Sequence, residues 1–312
     1  MCCHIRNFQN FCGTTRWGPQ KQPKMCSPTL VVPRIGLPMS NKYIHIQWLH
    51  KQLSLHFIIN MVKIHTILGF NVNYNITNKY LKIDKNKYTN LVLDKFKHLL
   101  NTNSQLTPLD PTVKLQKATN PLSDDYFPYR PLIGCFSYLS YTFRADMSFP
   151  TNLLARFMDG FDESHIVQCK KLLRYLYDYP KAEIHYCDLK IHQKYFIVND
   201  KPYQMLPHQL YVFVDSDWAS SDLEKRRSTS GYLIFFNGGL ISWRTCLQKR
   251  TATSSTEAEY LALHEAIKEA IWIKHILEEL SLFNVNPVII FEDNNSTINA
   301  SYNPVEHSKL KH

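Results

Sequence analysis

The order of apolar and polar positions changes character along this chain. Residues 1–60 keep no steady period, and GPQKQPKMCSPTLVVPRIGLPMS carries five prolines, which predicts loop or unstructured tail. From about Ile64, ILGFNVNYN and KYLKIDK alternate as strands do. KNKYTNLVLDKFKHLL then sets Tyr88, Leu91, Val92, Phe96 and Leu99 at helical spacing. Residues 101–128 read as a polar, proline-punctuated linker. PLIGCFSYLSYTFRADMSFPTNLLARFMDGF and DESHIVQCKKLLRYLYDYP predict helices, the second with Asp162 as N-cap and Pro180 just beyond its end.

Near Tyr211 the pattern changes again. YVFVD and GYLIFF read as strands, and Asn237-Gly238-Gly239 as a hairpin turn into LISW. A long helix is predicted over 254–280, then a strand VIIFED and a short helix from about Asn294. The order βββαβα predicts an α/β domain with a mixed sheet and a central first strand. No internal repeat is visible.

Composition alters this picture little. The chain has 312 residues, 44% hydrophobic and 20% charged, ordinary for a globular protein with room for two domains. Its apolar runs are too short to span a bilayer, so no membrane partner is expected. MCCHIRNFQNF lacks the apolar core of a secretory signal, so the expectation is an intracellular chain, with cytoplasm and nucleus both open. The eight cysteines are scattered, which predicts free thiols rather than a disulfide framework. Cys2, Cys3, His4, Cys12 and Cys26 match no usual zinc spacing.

Charge alters it more. Residues 1–120 hold 16 Lys+Arg against 3 Asp+Glu, or +13, while the remainder carries −3 of the +10 total. A basic first part beside a mildly acidic second suits a protein that tracks a phosphate backbone with one part and does chemistry with the other. A solvated lysine-rich surface is the plain alternative.

The candidate chemistry lies in carboxylates at the ends of core elements. The run Tyr211–Val214 ends in Asp215 and Asp217, which share parity and so one face. Such a strand end is where ligands collect in α/β folds, although Asp-Ser-Asp is also good turn chemistry. In the long helix, steps of four and three from Glu259 reach Leu263, Ala266, Ala270, Ile273 and Leu277, so Glu259 heads the apolar stripe. Glu257 lies instead on the face of His264, Lys268 and His275, and Ser254 with Glu257 makes a capping box. Thr256 with Glu259 is a rival box. Asp293 ends the strand VIIFED, and helix N-capping is its structural alternative. Gathered at one rim, three acids raise each other's pKa unless a hard divalent cation joins them. Two such ions about 4 Å apart suit in-line phosphodiester hydrolysis.

At these residues the chain resembles a known family. VDSDWASSDLEKRRSTSGYLIFFNGGLISWRTCLQKRTATSSTEAEYLAL, EAIWIKHILEEL and FEDNNSTINASYNPVEHSKLKH resemble the ribonuclease H domain of copia-type (Ty1/copia) retrotransposon Pol polyproteins. YRPLIGCFSYLSYTFRADMSF and KKLLRYL resemble the connection segment, and ILGFNVNYN with KIDKNKYTNLVLDKF is similar to the end of the reverse transcriptase. The resemblance spans about 64–312. It implies an α/β fold: a truncated ribonuclease H-like mixed sheet preceded by a partial reverse transcriptase thumb and connection region. The implied layout is an unassigned, disordered 1–60, a reverse transcriptase remnant and linker over 61–128, a helical connection region over 129–205, and a ribonuclease H-like domain over 206–312. It further implies that Asp215, Glu259 and Asp293 are the catalytic acids. They would bind two Mg2+ ions and cut the RNA strand of an RNA–DNA hybrid, the expected partner. Lys225, Arg226 and Arg227 would contact phosphates, or simply form an exposed basic loop. Trp218 and Trp243 are expected in packing rather than base stacking.

Several departures qualify those implications. The polymerase palm, with its paired aspartates, is expected before residue 64 and is not found there. Asp124-Asp125 lies in the linker and is not that motif, so no polymerase activity is expected. Ala145 stands where the family usually has proline, and Lys85 near a usual glutamine. The family continues past the position of His312 with a helix, a strand and a final helix bearing a fourth carboxylate. The expectation is therefore a bare sheet edge at VIIFED and weak or lost hydrolysis. A non-catalytic nucleic-acid binder and a decayed element are the alternative readings.

Overall fold

The structure, a computed structural model, describes residues 48, 51–55, 65–100, 103–110, 113–218, 226–280 and 287–302. The candidate zinc ligands Cys2, Cys3, His4, Cys12 and Cys26, and Lys225 of the basic loop, lie outside the described residues. The chain divides into a unit of residues 16–65 and a larger unit holding the rest. Of the smaller, only a short helical turn at 51–54 and a few single residues are described.

In the larger unit, β1 (Thr66–Ile67), β2 (Phe70–Asn75) and β3 (Tyr80–Asp84) form an antiparallel meander. The β1–β2 corner needs left-handed backbone at Leu68 and Gly69, with φ of 50° and 78°, which glycine takes without strain. α1 (Asn86–Phe96) follows and buries Thr89, Val92 and Phe96. α2 (Tyr129–Thr142), α3 (Ser148–Ala155) and α4 (Glu163–Asp178) complete a helical layer. Its core includes Leu132, Phe136, Leu154, Phe161, Leu172 and Leu176. The intervening polar stretch has neither helix nor strand among its described residues, yet Leu109, Leu115 and Phe127 are buried in that same core. It is packed along the helices rather than suspended between two bodies. Asp162 caps α4 as expected. Its side chain accepts from Ser164 N at 2.9 Å, while its own N–H donates to His165 Nδ1 at 3.2 Å.

The helical reading of 129–205 holds only to Asp178. Beyond it come β4 (Ile184–Cys187), β5 (Tyr195–Val198) and β6 (Lys201–Gln204). Each is four residues long, too short for a period to register, and every residue of β6 is exposed. β4 adds to the edge of β3, far away in sequence. β5 and β6 form a hairpin through Asn199 and Asp200, both left-handed.

The second larger sheet is built from β7 (Leu210–Asp217), β8 (Thr229–Phe236), β9 (Gly239–Leu247) and β10 (Ile289–Phe291), in the order β10-β7-β8-β9. β10 runs parallel to β7, and the other pairs are antiparallel. β7 is internal, as its apolar run predicts. Leu210, Val212 and Val214 pack under α5 (Ser255–Glu279). Tyr211 and Phe213 face the opposite side with Phe196, Leu189 and Met205. Cover on both faces explains why the strand reads as a continuous apolar run rather than an alternation. The β8–β9 hairpin turns on Asn237 and Gly238, φ 45° and 78°. α6 (Asn295–Tyr302) ends the described chain. Among the described residues β10 pairs with β7 alone. The whole is a mixed α/β fold with several small sheets, and its last six elements follow the expected βββαβα order.

Cys135, Cys169, Cys187 and Cys246, the described cysteines, are all free thiols. No helix among the described residues is long and apolar enough to cross a membrane.

Candidate metal centre

Three elements deliver the three acids. Asp215 sits near the end of β7, opposite Gly231 of β8. Asp293 lies two residues beyond β10, and the parallel register that pairs Phe291 with Phe213 carries it to the level of Asp215. Glu259 lies early in α5, at the head of the stripe Leu263, Ala266, Ala270 and Ile273, all buried against the sheet. One carboxylate oxygen from each of Asp215, Glu259 and Asp293 lies within 4.8 Å of the others. Asp217 shares the strand end but does not join this set.

The local structure of α5 leaves Glu259 without a capping role. Ser254 is the N-cap, accepting from Glu257 N at 3.1 Å. The expected capping box is only half formed. The buried Glu257 side chain accepts from Thr253 N (2.6 Å) and Thr253 Oγ1 (2.7 Å) rather than from the Ser254 amide. Glu257 is thus held at the helix start and does not sit on an open polar face. With Ser254 as cap, Thr256 already lies inside the helix, which removes the rival box. Gln248 donates to Ala258 O and to Ser230 Oγ, both at 2.8 Å, and so ties the first turn of α5 to β8. Asp293 is not an N-cap either, because Asn294 Oδ1 accepts the Thr297 amide at 3.1 Å. Thr297 Oγ1 in turn donates to Thr256 O at 3.2 Å and joins α6 to α5.

The electrostatics are those of crowded, shielded acids. Burial pushes Asp215 up to about 6, with the charges of Asp293 and Asp217 adding to the rise. Burial, then Glu292, Asp215 and Asp293, push Glu259 up to about 9. Glu292 is raised to about 7 by burial, and Asp293 and Asp215 act in the same sense. Glu292 was not singled out in the sequence. The available signal was its parity with Val288 and Ile290, which pack toward α5.

The residues fit a hard divalent cation. Glu259 is only 7% exposed, and its Oε2 has no hydrogen-bond partner. Among the described residues none of Asp215, Glu259, Glu292 and Asp293 enters an ion pair. An ionised carboxylate shielded from water without a positive partner is costly. All-oxygen donors suit Mg2+, Ca2+ or Mn2+ rather than soft metals.

Arg226 is exposed with a left-handed backbone (φ 47°), and Arg227 is half-buried. Trp243 is half-buried and its Nε1 donates to Ser140 O at 2.7 Å, a packing role. Trp218 is half exposed, its Nε1 3.4 Å from Ala252 O, so it is less enclosed than expected. Asp124 pairs with Arg130 at 2.7 Å and accepts from the Arg130 amide, serving the start of α2.

Comparison with known proteins adds relatives. The chain is 31% identical over 252 residues to the Retrovirus-related Pol polyprotein from transposon TNT 1-94 of Nicotiana tabacum, covering 79% of this chain and 18% of that one. It is 33% identical over 206 residues to the Retrovirus-related Pol polyprotein from transposon RE1 of Arabidopsis thaliana, covering 66% and 13%. It is also 35% identical over 146 residues to the Secreted RxLR effector protein 161 of Plasmopara viticola, covering 47% of this chain and 91% of that one. The chain thus spans less than a fifth of the length of the two polyproteins. No family model matches it, and no solved structure matches it at a significant level.

Proposed function

The chain is homologous, over a segment of about 250 residues, to the Pol polyproteins of Ty1/copia retrotransposons, and from that premise we propose that residues 206–312 form a ribonuclease H-like domain acting on RNA–DNA hybrids. The observation that carries this reading is the convergence of Asp215, Glu259 and Asp293 from three separate elements to within 4.8 Å. The shielded, unpartnered Oε2 of Glu259 supports it, because a fold held by packing alone has no use for a buried acid there. The strand order β10-β7-β8-β9 with α5 across one face is compatible with the same assignment.

Asp215, Glu259 and Asp293 would hold Mg2+. When bound, a divalent cation supplies charge stabilisation at a phosphoryl group and a more acidic water. The chain's own part is to fix the acids before substrate arrives. Asp215 is set by the β7–β8 ladder, Asp293 by the β10–β7 register, and Glu259 by the α5 start that Ser254 and Gln248 secure. The wall formed by α5 keeps water from one side of Glu259. Preorganised groups of this kind need little rearrangement at the moment of reaction.

The test is incubation of the full chain with an RNA–DNA hybrid labelled on the RNA strand, with and without Mg2+. Cleavage that needs Mg2+ and is lost in D215N and in D293N is the expected result. Cleavage that persists in both substitutions would overturn the site.

A second reading is binding without hydrolysis. It is favoured by the basic first part of the chain, which includes the exposed Lys87, Lys95 and Lys97 on and beside α1. Hybrid binding that weakens steeply with salt while D215N binds normally, and no cleavage by either protein, would select it.

A further inference from the structure

Tyr74 of β2 pairs with Leu81 of β3, and Leu81 pairs with Tyr186 of β4. The three side chains therefore share one row on one face of the first sheet. They line a cleft of about 540 Å3, within the range of small-ligand sites, about 300–1,000 Å3. Tyr186 is fixed in place. Its hydroxyl donates to Leu240 O at 2.7 Å, and a side chain at Gly239 would collide with its ring.

The rim comes from four separated segments: Lys79 at the β2–β3 corner, Asp188 and Lys190 beyond β4, His208 before β7, and Asn237 at the β8–β9 corner. Lys79, His208 and Asn237 hold left-handed backbone, with φ of 48°, 60° and 45°. That conformation is uncommon outside glycine and concentrates at ligand sites. Backbone amides tie the segments together. His208 N donates to Asn237 Oδ1, Cys187 N to Asn237 O and Asp188 N to Lys79 O, each at 3.1 Å. The cleft is thus preformed.

Its charge is positive at the rim. Lys79 Nζ pairs with Asp188 at 3.0 Å, and the Lys190 amide donates to Asp188 Oδ1 at 3.0 Å. These two bonds, with the charges of both lysines, hold Asp188 below the ordinary carboxylate range. Lys190 is exposed and enters no ion pair among the described residues. Two ammonium groups against one carboxylate leave one positive charge unmatched. An aromatic floor below a cationic rim suits a ligand that joins a planar ring to an anionic group.

We propose that this cleft binds a nucleotide, with its base on the Tyr74–Leu81–Tyr186 row and its phosphate at Lys190 beside Lys79. Stacking on aromatic side chains accepts any base, because every base has a π face. The ammonium meets phosphate as a point charge. A free mononucleotide and an unpaired nucleotide of a strand offer the same chemistry. Neither needs the cation site.

The test uses the full chain in EDTA, so that the acids play no part. The probes are 5-iodouridine 5′-monophosphate and a short single strand carrying one 5-iodouracil. Affinity is read by isothermal titration calorimetry, and photo-crosslinked residues by mass spectrometry. Crosslinks at Tyr74 or Tyr186 are expected. K190E should weaken binding by about 10-fold, as for one charged hydrogen bond. Y74A should weaken it by roughly 5- to 150-fold, the range for one stacked base. Binding of the monophosphate assigns the free nucleotide, and binding of the strand alone assigns an unpaired nucleotide of a nucleic acid. No binding of either probe, crosslinks confined to other segments, or wild-type affinity in K190E overturns the proposal. K190E changes an exposed side chain, so the test holds even where Y74A fails to fold.

Discussion

Asp293 stands level with Asp215 because β10 pairs in parallel with β7, Phe291 opposite Phe213. The two aromatic rings are stacked with centroids 4.6 Å apart and planes 18° from parallel. Two residues farther along each strand come the carboxylates. The ring stack therefore works as a register pin. It acts beside the bond that Gln209 Nε2 donates to Pro287 O at 2.7 Å, and a slip of one residue would turn Asp293 to the α5 face.

Phe291→Ala is accordingly expected to affect the acid site more than the fold. The ring is half-buried, so the stability loss should be on the order of 2 kcal/mol, below the cost of emptying a fully buried phenylalanine site. Urea unfolding measures that loss. Mn2+ affinity should fall at the same time, and unchanged affinity would mean that something other than this pair sets the register.

Gln248→Leu probes the start of α5. The amide donates to Ser230 Oγ and Ala258 O, both buried partners. Leucine removes both bonds and leaves the buried Ser230 hydroxyl without its amide partner, at a cost of about 1–3 kcal/mol. Because Ala258 precedes Glu259, cation affinity should drop as well. A stability loss with no change in cation affinity would confine Gln248 to a packing role.

A third prediction lies away from the acids. Arg144, only 3% exposed in its side chain, meets Asp146 through Nε and Nη2 and donates from Nη1 to Tyr179 O at 2.8 Å. Tyr175 also donates to Asp146, at 2.9 Å. Asp146→Ala would leave the guanidinium shielded without its carboxylate, a loss of roughly 3 kcal/mol in a buried pair, reduced here because Asp146 is partly exposed. Urea unfolding should register it with cation binding intact, and a change within error would show that Tyr179 O alone suffices for Arg144.

How much of this was legible beforehand differs by region, for physical reasons. The elements that form β7 to α6 have strong periods and clear punctuation at Asn237-Gly238, Ser254 and Asn294. The apolar stripe of α5 also singles out Glu259 over Glu257, and Glu259 is the acid of this helix whose carboxylate lies within 4.8 Å of those of Asp215 and Asp293. β4, β5 and β6 were not legible, because four-residue strands carry too little alternation and β4 pairs with a strand about a hundred residues earlier. The burial of Leu109, Leu115 and Phe127 was hidden in a polar, proline-rich stretch whose few apolar residues follow no period.

The last prediction concerns pH. Asp215, Glu292 and Glu259 have folded-state values raised to about 6, 7 and 9 from ordinary values near 4. A raised acid binds its proton more tightly folded than unfolded. The unfolded chain has already released these protons by about pH 5, while the folded chain keeps them until pH 6 to 9. Folding thus takes up protons across that window, and cation-free stability must fall as pH rises through it. Asp162, Asp178, Glu183 and Asp188 shift the other way. Their stabilisation is present above their unfolded values and is lost on acidification, so they contribute no slope between pH 5 and 8.5. In EDTA the melting temperature should drop across that range by on the order of 5 °C. Mn2+ or Mg2+ should reverse the drop, with a larger stabilisation at pH 8.5 than at pH 5, because the cation binds the ionised acids. Glu259→Gln should flatten the EDTA profile and raise its alkaline end. A wild-type profile that is flat in EDTA, or that rises with pH, would mean that these acids are not crowded in the folded chain.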